Sequence, residues 1–341
     1  NETLKNLFAT LVLGSIVAGI VYVGYLLVYH VSFSMQPKDF EKELNAHFQT
    51  MLAEFDDRMY YGGLQILSAE PFKCSEFLSC TSSEIAIGWY DTPELKILFL
   101  NNQIFVNELS DSRLSLRFVT SINPQIEMRN LSAAQREEIT RIRSILPTQI
   151  TCDLSTYTYG TQSRIEKDGS CEIATASAFY HLALNMSSSN PVFAQANIPI
   201  MLHNHKARER AYQFALSIHS ASLHITSNGL NDRIFELFSH SRLGKMFSRE
   251  TYESTYPTAI PLALQSLATA DSQETLSELA SAVVQILRGE NKNLSLSLRQ
   301  KDEGFFFGEA EIEEFGYLFT ENPKQLVRQI VHNYDVKVES Y

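Results

Sequence analysis

The feature that most constrains this chain is an uncharged, apolar stretch close to its first residue. No Asp, Glu, Lys or Arg occurs from Asn6 to Pro37, and the most apolar part runs from Leu7 to Tyr29. As a helix with a rise of about 1.5 Å per residue, that part is long enough to cross the hydrocarbon layer of a membrane. It is also longer than the apolar core of a cleaved signal peptide. The sequence therefore predicts a transmembrane anchor within residues 1–36.

Small residues recur at four-residue spacing inside the predicted anchor. Gly14 is followed by Ala18, and Ser15 is followed by Gly19. This spacing lets a second membrane helix approach closely, although it also occurs in helices that cross a membrane alone. These four residues are the candidates for helix packing in the membrane.

The four cysteines bear on the compartment in which the chain folds. Cys74 and Cys80 enclose five residues, and Cys152 and Cys171 enclose eighteen. Structural zinc sites usually place cysteines two to four residues apart with a matching second pair, and no C-x-x-C redox motif is present. An even number of cysteines behind an anchor is typical of two disulfides, with three possible connectivities. The short loops favour Cys74–Cys80 and Cys152–Cys171, while free thiols in a cytosolic domain remain the alternative.

Disulfides and an anchor together predict a location. We expect a single-pass membrane protein with its N-terminus in the cytoplasm and its C-terminal domain in an oxidising space on the other side of the membrane. The formal net charge is −11, from 28 basic and 39 acidic residues, and no basic stripe is present. Nucleic acid is therefore not an expected partner. The expected partners are the lipid bilayer and other membrane or envelope proteins, contacted through the transmembrane and juxtamembrane helices.

An amphipathic segment follows the predicted anchor. Its apolar residues recur at steps of three and four, as in a helix with one apolar stripe. The stripe contains Phe40, Leu44, Phe48, Met51 and Phe55. Two uses of the stripe are open: packing on the chain's own sheet, or binding a partner helix.

Alternating apolar and polar residues dominate the rest of the chain, as in EIAIGWY, RLSLRFVTSI and YQFALSIHSASLHITS. Such runs predict half-buried strands, and they follow one another without a helix between each pair. Turns are predicted at Asn101-Asn102 and Asp168-Gly169. The segment DSQETLSELASAVVQILRG predicts a helix that ends at Gly289.

This order of elements predicts the α+β class. We expect one N-terminal transmembrane helix followed by an extracytoplasmic domain of antiparallel β-meanders packed with amphipathic helices. The predicted divisions are an anchor at 1–36, a helix, meander and helix at 37–147, and a second α+β half at 148–341. The last two could form one continuous domain.

Motifs that carry chemistry are sparse. The chain has no P-loop, G-x-S-x-G or H-E-x-x-H motif at a usable position. His203 and His205 could share a metal with His219 or His224 on a neighbouring strand, but an exposed polar turn is the simpler interpretation of HNH. We therefore predict no catalytic, cofactor-binding or metal-binding residues, and a protein that is not an enzyme.

The order of anchor, amphipathic helix and MYYGGLQILSAEPF, with Tyr61, Gly62 and Leu64 leading into a strand, resembles the YdgA-like family of bacterial envelope proteins. More distantly, it is similar to AsmA-type proteins. The resemblance implies an envelope location, with the anchor in the bacterial inner (cytoplasmic) membrane and the C-terminal domain in the periplasm, and it implies no catalytic residues. The expected function is a non-enzymatic structural or accessory subunit of an envelope complex. The alternative is a protein that binds a lipid or another hydrophobic ligand, and an enzyme is the least favoured class.

Overall fold

An antiparallel β-sheet of eleven strands organises the described part of the chain. The structure is a computed structural model, and it describes residues 64–89, 92–110, 112–126, 146–159, 164–189, 215–239, 247–302 and 322–341, with parts of 40–53 and 132–140. The strands are β1 (Leu64–Ala69), β2 (Lys73–Cys74), β3 (Ser79–Trp89), β4 (Thr92–Leu109), β5 (Arg113–Ile126), β6 (Gln149–Tyr159), β7 (Arg164–Ala174), β8 (Ala178–Ser189), β9 (Ala215–Ser227), β10 (Asn293–Gln300) and β11 (Tyr334–Ser340). From β3 to β11 each strand pairs with the next one along the chain, while β1 and β2 both pair with β3.

One face of this sheet is apolar across its whole width. Directly opposite residues of neighbouring strands point to the same side, so the register identifies the residues that share a face. One continuous row joins Cys80, Ile104, Phe118, Cys152, Cys171, Leu182, Leu223, Leu296 and Val338, from β3 to β11. We call the side that carries this row the apolar face, and the other side the polar face.

The amphipathic segment after the predicted anchor packs on the apolar face. Phe40, Leu44 and Phe48 are buried in one cluster with side chains of β3 to β6, including Ile104 and Phe118. The described parts of residues 40–53 are helical. This part of the stripe therefore packs on the chain's own sheet, whereas Met51 and Phe55 lie outside the described residues.

Four helices are described in the C-terminal part of the chain, and one of them packs on the apolar face. They are α1 (Leu230–Ser239), α2 (Arg249–Ser266), α3 (Gln273–Arg288) and α4 (Pro323–Asn333). Ala282 and Ile286 of α3 pack on the sheet at Leu294 of β10. The opposite side of α3 packs on the tyrosines of α2 and on phenylalanines of α1. As predicted, α3 ends at Gly289, which has the left-handed backbone that favours glycine.

Two predicted turns lie inside strands, so both predictions are wrong. Asn101 and Asn102 form a bulge in β4, where Asn101 has φ 53° and the pairing with β5 shifts by one residue. The Asn102 side chain is fully buried and accepts a hydrogen bond from Thr120 Oγ1 at 2.7 Å. Asp168 and Gly169 lie within β7 and pair with both β6 and β8. Turn-forming residues are tolerated here because neighbouring strands supply the hydrogen bonds of the backbone.

The predicted α+β class with an N-terminal transmembrane helix is wrong. The described residues form a mostly β structure, in which runs that looked like separate short strands join into strands such as the 18-residue β4. No described helix has the length and apolar character needed to cross a membrane. The stretch from Leu7 to Tyr29, with Gly14, Ser15, Ala18 and Gly19, lies outside the described residues.

The predicted location as a single-pass inner-membrane protein with a periplasmic C-terminal domain is corrected by the same finding. The predicted division at residue 147 falls between β5 and β6, which are hydrogen-bonded neighbours in the sheet. The division into domains itself stays a prediction.

Candidate ligand-binding face

Both disulfides lie on the apolar face, and their predicted connectivity is confirmed. Cys74 is joined to Cys80 across β2 and β3, and Cys152 is joined to Cys171 across β6 and β7. In each pair the two residues are directly opposite in the register. Two disulfides are typical of a protein that folds in an oxidising compartment.

The apolar face is closed in its N-terminal half and partly open in its C-terminal half. Along the row described above, Cys80, Cys152 and Cys171 are 0%, 1% and 4% exposed. The next residue, Leu182 of β8, is 40% exposed. From there to β11 the residues of the row are only partly buried. The exposed fraction rises between two neighbouring strands, from Cys171 on β7 to Leu182 on β8. The rise therefore reflects what covers the sheet and not the type of residue.

We call this partly open surface the apolar band and define it by two rows across β8 to β11. The first row is Leu182, Leu223, Leu296 and Val338, and the second is Leu184, Ala221, Leu298 and Val336. Every one of the eight side chains is half-buried or exposed. Helix α3 packs on β10 at Leu294 and on β11, and Val338 of the band packs against the same cluster, so the helix borders the band on its β11 side. The band is therefore an apolar surface with helices at one side and a closed core at the other.

The polar face of the same strands has a different composition. The row that lies between the two rows of the band, but on the polar face, is Ala183, Ser222, Ser297 and Lys337. A neighbouring row on that side is His181, His224, Ser295 and Glu339. Alternation of this kind is typical of a sheet with one face in water and the other against apolar material.

A lysine lies on the apolar face beside the band. Lys167 of β7 is directly opposite Met186 of β8, and the next pair on the same face is Gly169 with Leu184. Lys167 is 5% exposed, and burial lowers the pKa of its amine well below the ordinary value of 10.5. Because Gly169 has no side chain, nothing from β7 stands opposite Leu184 between the lysine and the disulfide at Cys171.

Sequence reasoning missed the band and Lys167. The period-two alternation of β8 and β9 was visible, but a sequence pattern does not show whether an apolar face is covered. A lysine at an apolar position of an alternating strand was the available signal. The predicted HNH residues lie outside the described part of the chain. Within the described part, no three His, Cys, Asp or Glu side chains are grouped so that they could hold a metal ion.

Compared with models of protein families and with curated proteins, the chain matches none. The resemblance to YdgA-like and AsmA-type envelope proteins therefore stays a prediction. A functional assignment has to come from the residues of the chain itself.

Proposed function

We propose that this protein binds a single-chain acidic amphiphile, such as a fatty acid, in an oxidising compartment. The acyl chain lies on the apolar band, and the acidic headgroup lies beside Lys167. The observation that carries this proposal is the partial exposure of two complete apolar rows on a sheet whose apolar face is otherwise closed. Exposed apolar surface of this extent in one place is typical of an interaction site.

The dimensions of the apolar band suit an extended apolar chain. Neighbouring strands lie about 4.8 Å apart, so the four strands β8 to β11 span about 14 Å between the outer two. Both rows of the apolar band cross that width without an interrupting polar residue. Each methylene group that leaves water contributes about 0.8 kcal/mol to binding. An acyl chain that follows the rows would complete the cover that α3 begins at Leu294.

The presence of Lys167 favours a ligand with an acidic headgroup over one with a neutral headgroup. The amine is buried, which disfavours its charged form. A carboxylate beside Nζ would favour the charged form and would itself gain a charged hydrogen-bond donor. Both charged groups would be shielded from water, and their attraction is stronger in the protein interior than at the surface.

Titration with a saturated fatty acid, and with the fatty alcohol of the same length, tests the function. We expect the acid to bind more tightly than the alcohol, and Lys167→Met to remove most of that preference. Leu182→Asp should weaken binding of the acid at least about tenfold, because it places a carboxylate against the acyl chain. Leu262→Asp is the matched control, since Leu262 is 65% exposed on α2 and lies away from the apolar band. Equal binding by wild type and Leu182→Asp would refute the proposal.

The accessory-subunit function stays a prediction from the sequence, as does the prediction that the chain is not an enzyme. Within the described residues, the edge strand β11 presents Asp335, Lys337 and Glu339 on the polar face, with an ion pair between the last two. Charged edges oppose pairing with a further strand. The edge of β11 therefore disfavours pairing with a strand of a protein partner.

A further inference from the structure

A serine, a histidine and a glutamine from three neighbouring strands form a hydrogen-bonded chain. The Oγ of Ser187 on β8 lies 2.6 Å from Nε2 of His219 on β9. The Nδ1 of the same imidazole lies 3.1 Å from Oε1 of Gln300 at the end of β10. His219 is the extra residue of a β-bulge, since Asn185 pairs with Ser220 and Met186 with Ile218. Bulges redirect side chains, and here the bulge aims the imidazole between the other two residues.

The neighbours of His219 determine its tautomer. Oε1 of Gln300 only accepts hydrogen bonds, and it also accepts one from Ser217 Oγ at 3.0 Å. Nδ1 of His219 must therefore carry the proton and donate it to Gln300. Nε2 is left with a lone pair, which accepts the hydroxyl proton of Ser187. The Nη2 of Arg164, a group that only donates, lies 3.4 Å from Nε2 and is consistent with the same tautomer.

We propose that Ser187 is a nucleophile toward small carboxylic esters, with His219 as its general base and Gln300 as the residue that positions the imidazole. A nucleophile hydrogen-bonded to a base, which a third group holds in place, is the arrangement that activates serine hydroxyls. Ser187 pairs with Glu166 and Ser217 on the polar face, whereas Gln300 is two residues beyond Leu298 of the apolar band. The proposal rests on the hydrogen bonds of these three residues and does not require the ligand-binding function.

The reaction follows from this tautomer, in which Nδ1 of His219 carries a proton and Nε2 accepts the hydroxyl proton of Ser187. Ser187 Oγ attacks the ester carbonyl carbon while its proton passes to His219 Nε2. The bond from the carbonyl carbon to the alcohol oxygen then breaks, and the alcohol leaves with that proton. Water attacks the acyl-serine in the same way, giving a carboxylic acid and restoring the Ser187 hydroxyl. No oxidant or reductant takes part.

Arg164 provides a donor for the charge that develops in this reaction. Its Nε is buried and, among the described residues, has no hydrogen-bond partner. Its Nη2 already lies at the histidine. A buried donor without a partner is costly in the free protein, and a negatively charged carbonyl oxygen would satisfy it.

Acylation of the full chain by p-nitrophenyl acetate tests this site. Ser187 is 3% exposed, so the probe has to be small. We expect a burst of nitrophenol and an acetyl group that peptide mass spectrometry locates on Ser187. This mapping on the wild-type chain needs no variant. No burst, or an acetyl group on another residue, would overturn the proposal.

Variants separate catalysis from structure. Ser187→Ala should abolish the burst, whereas Ser222→Ala, a serine on the polar face of β9, should leave it unchanged. His219→Gln should slow acylation at least about 100-fold, as loss of a general base does. Gln300→Glu keeps an acceptor for Nδ1 and should stay within about tenfold of wild type, while Gln300→Leu should not. Equal bursts in Ser187→Ala and wild type would refute the proposal, and fatty-acid binding should be the same in Ser187→Ala and Ser222→Ala as in wild type.

Discussion

Removal of the disulfide between β6 and β7 should cost more stability than removal of the one at the sheet edge. The Cys152–Cys171 bond has a sequence separation of 19, and the Cys74–Cys80 bond has a separation of 6. In the chain-entropy account, closing loops of these lengths destabilises the unfolded state by about 3 kcal/mol and about 2 kcal/mol. Burial adds to the larger value, because both Cys152 and Cys171 are almost fully buried and alanine leaves a void at each.

Urea unfolding of two double variants measures this difference. Cys152→Ala with Cys171→Ala should lower the free energy of unfolding by at least about 3 kcal/mol, and Cys74→Ala with Cys80→Ala by about 1 kcal/mol less. Paired replacement avoids a free thiol in either protein. Equal losses, or a larger loss at the edge pair, would show that loop length and burial do not determine the contribution of these bonds.

Two further predictions concern buried polar groups. The free energy of unfolding should rise with pH toward about 10.5, because the unfolded chain binds a proton at Lys167 more tightly than the folded chain does. Urea unfolding at stepped pH measures this rise, and Lys167→Met should remove it. An identical slope in the variant would contradict a depressed pKa. Thr120→Val should lower the free energy of unfolding by about 1–3 kcal/mol in the same assay, because the buried Asn102 Oδ1 then loses its donor. Thr81 is exposed, so Thr81→Val should change stability by less than about 0.5 kcal/mol.

Local patterns in the sequence predicted elements that depend on neighbours along the chain. The alternation of residues identified β5 and β9, and the short loops between cysteines identified both disulfides. The pair Asp168-Gly169 misled because a turn signal is only a local preference, and β6 and β8 on either side of β7 override it. The hydrogen-bonded chain of serine, histidine and glutamine depends on contacts between distant segments. Ser187, His219 and Gln300 meet through a bulge that the sequence does not mark.

The simple strand order of the sheet has a consequence for how the protein is made. From β3 to β9 each described strand pairs with the described strand before it, so a chain leaving the ribosome or a translocation channel can extend its sheet one strand at a time. The pairing of β9 with β10 breaks this succession, because α1, α2 and α3 are synthesised between them. Until β10 is synthesised, the unpaired edge of β9 is open to strands of other chains. A chaperone would therefore be most useful at the edge of β9.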